Sequence, residues 1–259
     1  MEASLTDRIN SYQELSDHQL MKRLPVVIVL NGRSFSKLSS LVDKPFSPDF
    51  MELMIAAMVK LCQEVDGVIF AFTFNDQIVV AMRNDQTSNT DAWYNNKIQA
   101  IVSAASSLAT LEFNKIKDTK DIKLLGDAVF TAKTFVVPSI MELTNTIIHM
   151  QQNCFHTALS QACFYELLKR YNSDEVKQML AGKSPKQKSE ILYEECKIDF
   201  NSYPLPFKRG VGAYRSPKLN PKSQEIKHKL IINDELPLFS HEKDWLFSIF
   251  NNKNTLECE

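Results

Sequence analysis

The stretch Pro25-Val-Val-Ile-Val-Leu-Asn-Gly32 decides the fold of this chain. It is a continuous run of β-branched and other apolar residues that ends in an Asn-Gly turn, which predicts a buried central strand. Further along, Val68 to Thr73 and Ile78 to Met82 are two similar runs on either side of Phe74-Asn-Asp-Gln77. Two short apolar runs joined so closely predict an antiparallel hairpin.

Helical segments separate the predicted strands. Apolar residues recur at helical spacing from Ser47 to Glu64, with Ser47 as the predicted N-cap and Pro48 at the first helical position. A second helix is predicted from Asp91 to Ile116, and Ala128 to Val137 is a fourth predicted strand. In the second helix, we expect the small residues to pack against the sheet: Ala100, Ser103, Ala104 and Ser107.

The order strand, helix, strand, strand, helix, strand is typical of ferredoxin-like and polymerase-palm domains. The predicted fold class is therefore α+β, with an antiparallel palm-like sheet, helices on one face and a helical C-terminal extension. That extension begins at Ser139, where Glu142 completes a predicted capping box. Two late strands are predicted at Lys208 to Arg215 and at Ile226 to Ile232. We predict a palm-like catalytic domain at residues 1–138, and at 139–259 a helical region with late strands, packed on the palm as one compact unit.

Composition excludes several classes of protein. With 259 residues, 44% of them hydrophobic, and a net charge of −1, the chain is neither disordered nor attracted to phosphate by bulk charge. Its 6 glycines argue against a glycine-rich nucleotide loop. No apolar run reaches the ~20 residues of a membrane span, and Met1 to Gln19 has no apolar centre like that of a signal peptide. Five scattered cysteines without a Cys-x-x-Cys pair predict reduced thiols, no structural zinc and a cytoplasmic location.

Two turns carry the residues that could support chemistry. Asn31-Gly-Arg-Ser-Phe35 follows the first strand and Asn75-Asp-Gln77 forms the hairpin tip, and this topology places both turns on one rim of the sheet. Backbone amides of a tight turn can hold a triphosphate, and Asp76 could bind Mg²⁺ together with that triphosphate. Asn-Gly and Asp are also common turn formers, so the local pattern alone leaves a purely structural role open.

The ordered series of motifs resembles the tRNA-histidine guanylyltransferase family. Asn31-Gly-Arg-Ser-Phe35 is similar to its Asp-Gly-Arg-(Ser/Asn)-Phe motif, and Asn75-Asp-Gln77 to its Ser-Asp-Glu motif. The likeness runs from Val26 to Arg215 through these further segments: Lys44-Pro45, Gln151-Gln-Asn153, Gly182-Lys183, Lys188-Ser-Glu-Ile-Leu192, Phe200-Asn-Ser-Tyr-Pro204 and Lys208-Arg-Gly210.

The resemblance implies a palm-like domain that adds nucleotides in the 3′-to-5′ direction. Such proteins activate an RNA 5′ end with a nucleoside triphosphate, GTP or ATP, and then let GTP attack it. Two Mg²⁺ ions are implied, held here by Asp76, the Gly32 carbonyl and Asn31. Catalytic roles fall on Asp76, Asn31 and Gln77; nucleotide binding falls on Gly32, Arg33, Ser34, Phe35, Lys44 and Asn75. Lys188, Lys208, Arg209 and Asn153 are the implied phosphate or RNA contacts. A tRNA partner, no membrane partner and a homo-tetramer or dimer are also implied.

The departures from the family pattern fall on the acidic positions. Asn31 and Gln77 replace an aspartate and a glutamate, and Asn153 replaces a further aspartate. An amide can ligate Mg²⁺ but brings no negative charge to offset the charge of the ion. Asp76 is then the only family carboxylate left to bind the metal, unless Asp43, Asp49 or Asp85 replaces a missing ligand. Three functions therefore remain open. One is Mg²⁺-dependent 3′-5′ nucleotidyl transfer from GTP to a tRNA 5′ end, weakened by these changes. Another is an inactive relative that binds nucleotide, RNA or a partner subunit. The third is a purely structural partner in a hetero-oligomer.

Overall fold

The computed structural model describes residues 4–15, 17–86, 90–219 and 226–251. Within these ranges, six strands form one antiparallel sheet in the order β4-β1-β3-β2-β5-β6. The strands are β1 (Val26–Gly32), β2 (Val68–Phe74), β3 (Gln77–Met82), β4 (Phe130–Val136), β5 (Val211–Leu219) and β6 (Ile226–Asn233). The helices are α1 (Leu5–Glu14), α2 (Phe35–Leu38), α3 (Pro48–Glu64), α4 (Ile98–Thr119), α5 (Ile140–Leu167), α6 (Ser173–Leu180), α7 (Pro185–Cys196), α8 (Leu205–Arg209) and α9 (Lys243–Phe250).

Strand β1 lies inside the sheet, as its apolar run predicts. It pairs with β3 on one side and β4 on the other, and its first five residues are buried. Val26, Ile28 and Leu30 face one hydrophobic core, whereas Val27 and Val29 face the other. Because both faces of the strand are covered, no polar residue alternates with the apolar ones.

The two faces of the sheet are covered by different parts of the chain. Helices α3 and α4 pack on one face, as the split β-α-β pattern predicts. The first half of α5 and the C-terminal helix α9 cover the opposite face. The α+β palm-like fold is therefore confirmed, and the extension closes the face that the first two helices leave open. A third core, built from α5, α7 and the segment around Phe200, holds the rest of the extension together.

Helix α4 begins later than its sequence pattern predicts. Residues 93–96 form a 3₁₀ segment in which Tyr94 and Asn95 have positive φ angles of 47° and 52°, so the α-helix starts only at Ile98. The predicted packing face is also wrong. Ser103 and Ser107 are exposed and Ala100 and Ala104 are only half-buried. The buried residues lie on a neighbouring face of the helix: Ile101, Ala105, Ala109 and Phe113.

The first late strand begins three residues later than predicted and extends to Leu219. Lys208 and Arg209 belong to the short helix α8, and β5 starts at Val211 after Gly210. Gly210 has a φ of +75°, and a Cβ there would lie 2.3 Å from the Phe72 ring. Glycine thus permits both the turn and the close approach of β5 to β2. At the start of α5, Ser139 accepts a hydrogen bond from the Glu142 amide at 3.2 Å, which is the N-cap half of the predicted capping box. The Glu142 side chain instead accepts from Asn145 Nδ2 at 3.0 Å.

Within the described ranges, no helix is both long enough and apolar enough to cross a membrane. Four cysteines, Cys62, Cys154, Cys163 and Cys196, are free thiols, and Cys258 lies outside the described residues.

Candidate nucleotide site

The turn after β1 and the tip of the β2–β3 hairpin converge, as the sequence predicts. The Gly32 amide donates a hydrogen bond of 2.8 Å to the Asp76 carbonyl, which joins the two turns directly. The Arg33 amide donates to the Val129 carbonyl at 2.8 Å. Two of the amides that could have held a phosphate are therefore already used within the fold.

Asn31 and Gln77 face each other across this junction. They are register partners in the β1–β3 ladder, and Gln77 Nε2 donates a hydrogen bond of 2.7 Å to Asn31 Oδ1. Two carboxylates at these positions would repel each other unless a cation lay between them. The two amides instead bond directly.

A cavity of about 260 Å³ opens beside the hairpin tip. Asn75 and Asp76 line one side of it, and the segment from Phe35 to Met54 supplies much of the wall. Helices α5 and α8 close the other side with Thr157, Gln161, Tyr165, Pro206 and Phe207. Phe46 and Phe207 stack at 4.9 Å between ring centres, so part of the wall is flat and aromatic.

Lys44 brings a positive charge into this cavity. Its ammonium group donates to Ser39 Oγ at 3.1 Å and lies 5.3 Å from the centre of the Tyr165 ring. Burial lowers the pKa of Lys44. The next residue, Pro45, accepts a hydrogen bond of 2.6 Å from Gln161 Nε2, so the loop that carries Lys44 is fastened to α5.

The hairpin tip presents polar groups with few internal partners. Burial raises the pKa of the Asp76 carboxyl, since desolvation outweighs a backbone hydrogen bond that favours the charged form. Asn75 Nδ2 is buried and has no hydrogen-bond partner among the described residues. Asn75 holds a positive φ of 47°, a conformation that asparagine tolerates better than most residues.

A two-metal centre does not fit these residues. No cluster of three or more His, Cys, Asp or Glu side chains suited to a metal occurs within the described residues. Asn31 Oδ1 already accepts a hydrogen bond from Gln77. Among the three predicted catalytic residues, Asn31, Asp76 and Gln77, Asp76 is the carboxylate. Hard divalent cations in protein sites favour carboxylate oxygens. A single carboxylate offsets little of the electrostatic repulsion between two divalent cations.

The three carboxylates considered as substitutes lie in different places. Asp43 lines the same cavity as Asp76. Asp49 lies in a neighbouring polar groove with Glu52 and Lys120. Asp85 is paired with Arg83 at 2.8 Å, which lowers its pKa. Of the three, Asp43 is therefore the one that shares the cavity with Asp76.

The rest of the first motif shapes the cavity. Phe35 is buried, lines the cavity and packs against Phe50, Phe113 and Phe130 with ring centres 5.0 to 5.8 Å apart. A Cβ on Gly32 would lie 2.3 Å from the Phe35 ring, so glycine is needed for this packing. Arg33 and Ser34 are exposed on the turn that precedes α2.

The four predicted phosphate or RNA contacts lie outside this cavity. Asn153 is exposed on α5, 3.1 Å from His149 Nε2, and Lys188 on α7 donates to Ser160 Oγ at 2.9 Å. Lys208 is buried and donates to the Asn201 carbonyl at 2.6 Å; burial and the neighbouring Arg209 lower its pKa. Arg209 donates to the Leu236 carbonyl at 3.1 Å.

Lys208 and Arg209 line a second cavity of about 340 Å³. Gln151, part of the third resembling motif, borders it and is fully buried in a network: it donates to the Pro237 carbonyl and accepts from the Phe239 amide. The long side chain of Gln151 thus holds the chain after β6 against α5.

Sequence reasoning missed the far wall of the first cavity. Gln161, Tyr165 and Phe207 come from segments 85 or more residues beyond the hairpin tip, and none belongs to a motif that predicts a site. Their aromatic and amide character offered no signal by itself, because aromatic residues on helices are usually core residues.

Comparison with known families gives two matches that together span most of the chain. Residues 6–138 match the family model described as Thg1, tRNAHis guanylyltransferase, and residues 142–244 match the Thg1 C-terminal domain. The chain is 26% identical over 202 residues to tRNA(His) guanylyltransferase 1 of Arabidopsis thaliana, covering 76% of this chain and 35% of that protein. It therefore spans about a third of that relative's length. The Schizosaccharomyces pombe tRNA(His) guanylyltransferase is 25% identical over 223 residues, covering 84% of this chain and 82% of that protein.

Solved structures show the same fold. A bacterial tRNA(His) guanylyltransferase (Thg1)-like protein in complex with ATP superposes with a TM-score of 0.82 at 23% identity, covering 96% of this chain and all of the other. The tRNA(His) guanylyltransferase of Saccharomyces cerevisiae superposes with a TM-score of 0.69 at 18% identity, covering 85% and 94% of the two chains. With the family models matching both its halves, the chain belongs to the tRNA-histidine guanylyltransferase family.

Proposed function

We propose that this chain is a nucleotide-binding member of the family that has lost efficient nucleotidyl transfer. The observation that carries the proposal is the hydrogen bond between Asn31 and Gln77. The two bonded amides are neutral, whereas the family motifs have an aspartate implied to bind metal at the first position and a glutamate at the second. The neighbouring cavity has an aromatic wall and is lined by Asp76 and Lys44.

The ligand in this proposal is GTP or ATP, bound in the cavity beside Asp76. Bacterial Thg1-like proteins of similar fold have been solved with ATP and with GTP. Aromatic walls with a few converging polar groups are typical of small-molecule sites, and the buried Asn75 amide needs an acceptor that a ligand can supply. Calorimetric titration with GTP and with ATP tests this step; the absence of binding of either would contradict it.

The RNA partner in this proposal is a tRNA 5′ end. Lys188, Lys208, Arg209 and Asn153 are the proposed contacts, by position in the family motifs. Lys208 already donates to the Asn201 carbonyl, so it would have to exchange that acceptor for a phosphate. Binding of labelled tRNA at several salt concentrations tests the electrostatic contribution of these residues. The cytoplasmic location, the division into a palm at 1–138 and a helical region at 139–259 packed on it as one unit, and a tetramer or dimer also remain proposals.

Nucleotidyl transfer with Mg²⁺ is the second candidate function. It is favoured by one observation, that Asp43 and Asp76 line the same cavity. Incorporation of labelled GTP into a 5′-activated tRNA distinguishes the two candidates. We expect no incorporation by the unaltered protein with Mg²⁺ present; measurable turnover would establish transferase activity and refute the inactive assignment.

A further inference from the structure

Amide side chains at the two turns beside the cavity differ from carboxylates in what they can bind. An ionised carboxylate only accepts hydrogen bonds, so it reaches a phosphate through a bridging cation. An amide carries two N–H donors and can bind a phosphate oxygen directly. Three residues of the two turns carry amides in this chain: Asn31, Asn75 and Gln77, of which Asn75 lines the cavity.

Two of these amides satisfy each other. Gln77 Nε2 donates to Asn31 Oδ1 at 2.7 Å, and both residues are half-buried at the ends of paired strands. The pair therefore needs no cation to hold β1 and β3 together at this point.

The third amide has a donor to spare. Asn75 Nδ2 is buried without a partner among the described residues, and Asn75 lines the cavity. A buried donor without an acceptor costs free energy, which an acceptor on a bound ligand would remove. Lys44 lines the same cavity and supplies the positive charge that a polyphosphate requires.

We propose that this cavity binds the polyphosphate of a nucleotide without a divalent cation, with the Asn75 amide and the Lys44 ammonium donating to phosphate oxygens. The inference rests on the proposed nucleotide-binding function and adds the mode of binding. In this mode the neutral pair of Asn31 and Gln77 joins β1 and β3 beside the cavity without a metal ion.

Titration calorimetry with GTP and with inorganic tripolyphosphate, each in EDTA and in Mg²⁺, tests the proposal on the unaltered protein. We expect the Kd for GTP in EDTA to lie within about threefold of that in Mg²⁺, and tripolyphosphate to compete with GTP in EDTA. GTP binding that appears only with Mg²⁺, or is more than tenfold tighter with it, would overturn metal-free binding. Failure to bind GTP under both conditions would instead overturn the proposed function itself.

The substitution Asn75→Asp tests the role of the amide. Aspartate has almost the same shape and tolerates the same backbone conformation, but it replaces the donor with a charged acceptor. We expect GTP binding in EDTA to weaken at least tenfold. Gln178→Glu, an exposed substitution on α6 with the same change in charge, is the matched control and should change the Kd less than twofold. Equal binding by the Asn75→Asp and Gln178→Glu variants would overturn the role of Asn75.

Discussion

Restoring the two carboxylates should make this protein depend on a divalent cation for its stability. In Asn31→Asp or Gln77→Glu alone, the remaining amide can still donate to the new carboxylate across the strands. We therefore expect each single substitution to change the free energy of unfolding by about 1 kcal/mol or less. The double substitution places two carboxylates where the amides are now 2.7 Å apart.

The repulsion in the double variant can be worked from this geometry. Two unit charges about 4 Å apart interact by about 4 kcal/mol at an effective dielectric constant of about 20. Protonation of one carboxyl would remove the repulsion but would cost about as much. Keeping a carboxyl with a pKa of about 4 protonated at pH 7 requires about 4 kcal/mol. We expect the double variant to lose about 4 kcal/mol beyond the sum of the single variants, or roughly 8–16 °C in melting temperature.

Urea unfolding at pH 7 in EDTA of the unaltered protein, the two single variants and the double variant measures the coupling free energy between positions 31 and 77. Addition of Mg²⁺ or Mn²⁺ should restore much of the loss in the double variant and leave the unaltered protein unchanged. Additive single effects in EDTA would refute the reasoning, because they would mean that the two side chains do not share one local environment.

Three further predictions concern other parts of the site. Asp76→Asn should stabilise the protein at neutral pH. The folded-state pKa of Asp76 is raised above its ordinary value of 3.8, so its contribution to stability is full below that value and is lost as pH rises through the raised pKa. Urea unfolding from pH 4 to 8 should therefore show a gain that grows with pH, and a pH-independent difference would contradict the cause assigned to the shift. Phe207→Ala should weaken GTP binding about five- to tenfold by removing the stacked wall. Tyr193→Ala, on an exposed side chain of α7, is its control, and equal Kd values in calorimetry would remove Phe207 from the site. Gly210→Ala should destabilise the fold by more than about 2 kcal/mol, because its Cβ would meet the Phe72 ring and the φ of +75° is strained for alanine. Circular dichroism melting measures this loss, and an unchanged melting temperature would show that Phe72 and the turn can adjust.

The centre of the fold and the two polar turns could be predicted from sequence because their determinants are local. The apolar run of β1, the hairpin around Asn75 and Asp76, and the Ser47 cap of α3 all depend on neighbouring residues. The meeting of Gly32 and Asp76 then follows from the antiparallel topology.

The far wall of the cavity could not be predicted in the same way. Tyr165 and Phe207 reach it only because α5 and α8 pack beside the sheet, and that packing depends on contacts between distant segments. The start of α4 was missed because Tyr94 and Asn95 adopt left-handed conformations without glycine. Burial of Lys208 was missed because lysine usually lies at the surface, and here its ammonium group reaches the Asn201 carbonyl.

The cavity draws its walls from positions as far apart in the chain as Phe35 and Phe207. A ligand in the cavity contacts both the segment around Phe35 and Lys44 and the later helices α5 and α8. It therefore stabilises the packing between segments that could otherwise unfold locally and independently. Opening either segment would then release the ligand, and local fluctuations on both sides should become rarer together. Hydrogen exchange in α5 and in the Lys44 loop should consequently slow in parallel when the cavity is filled.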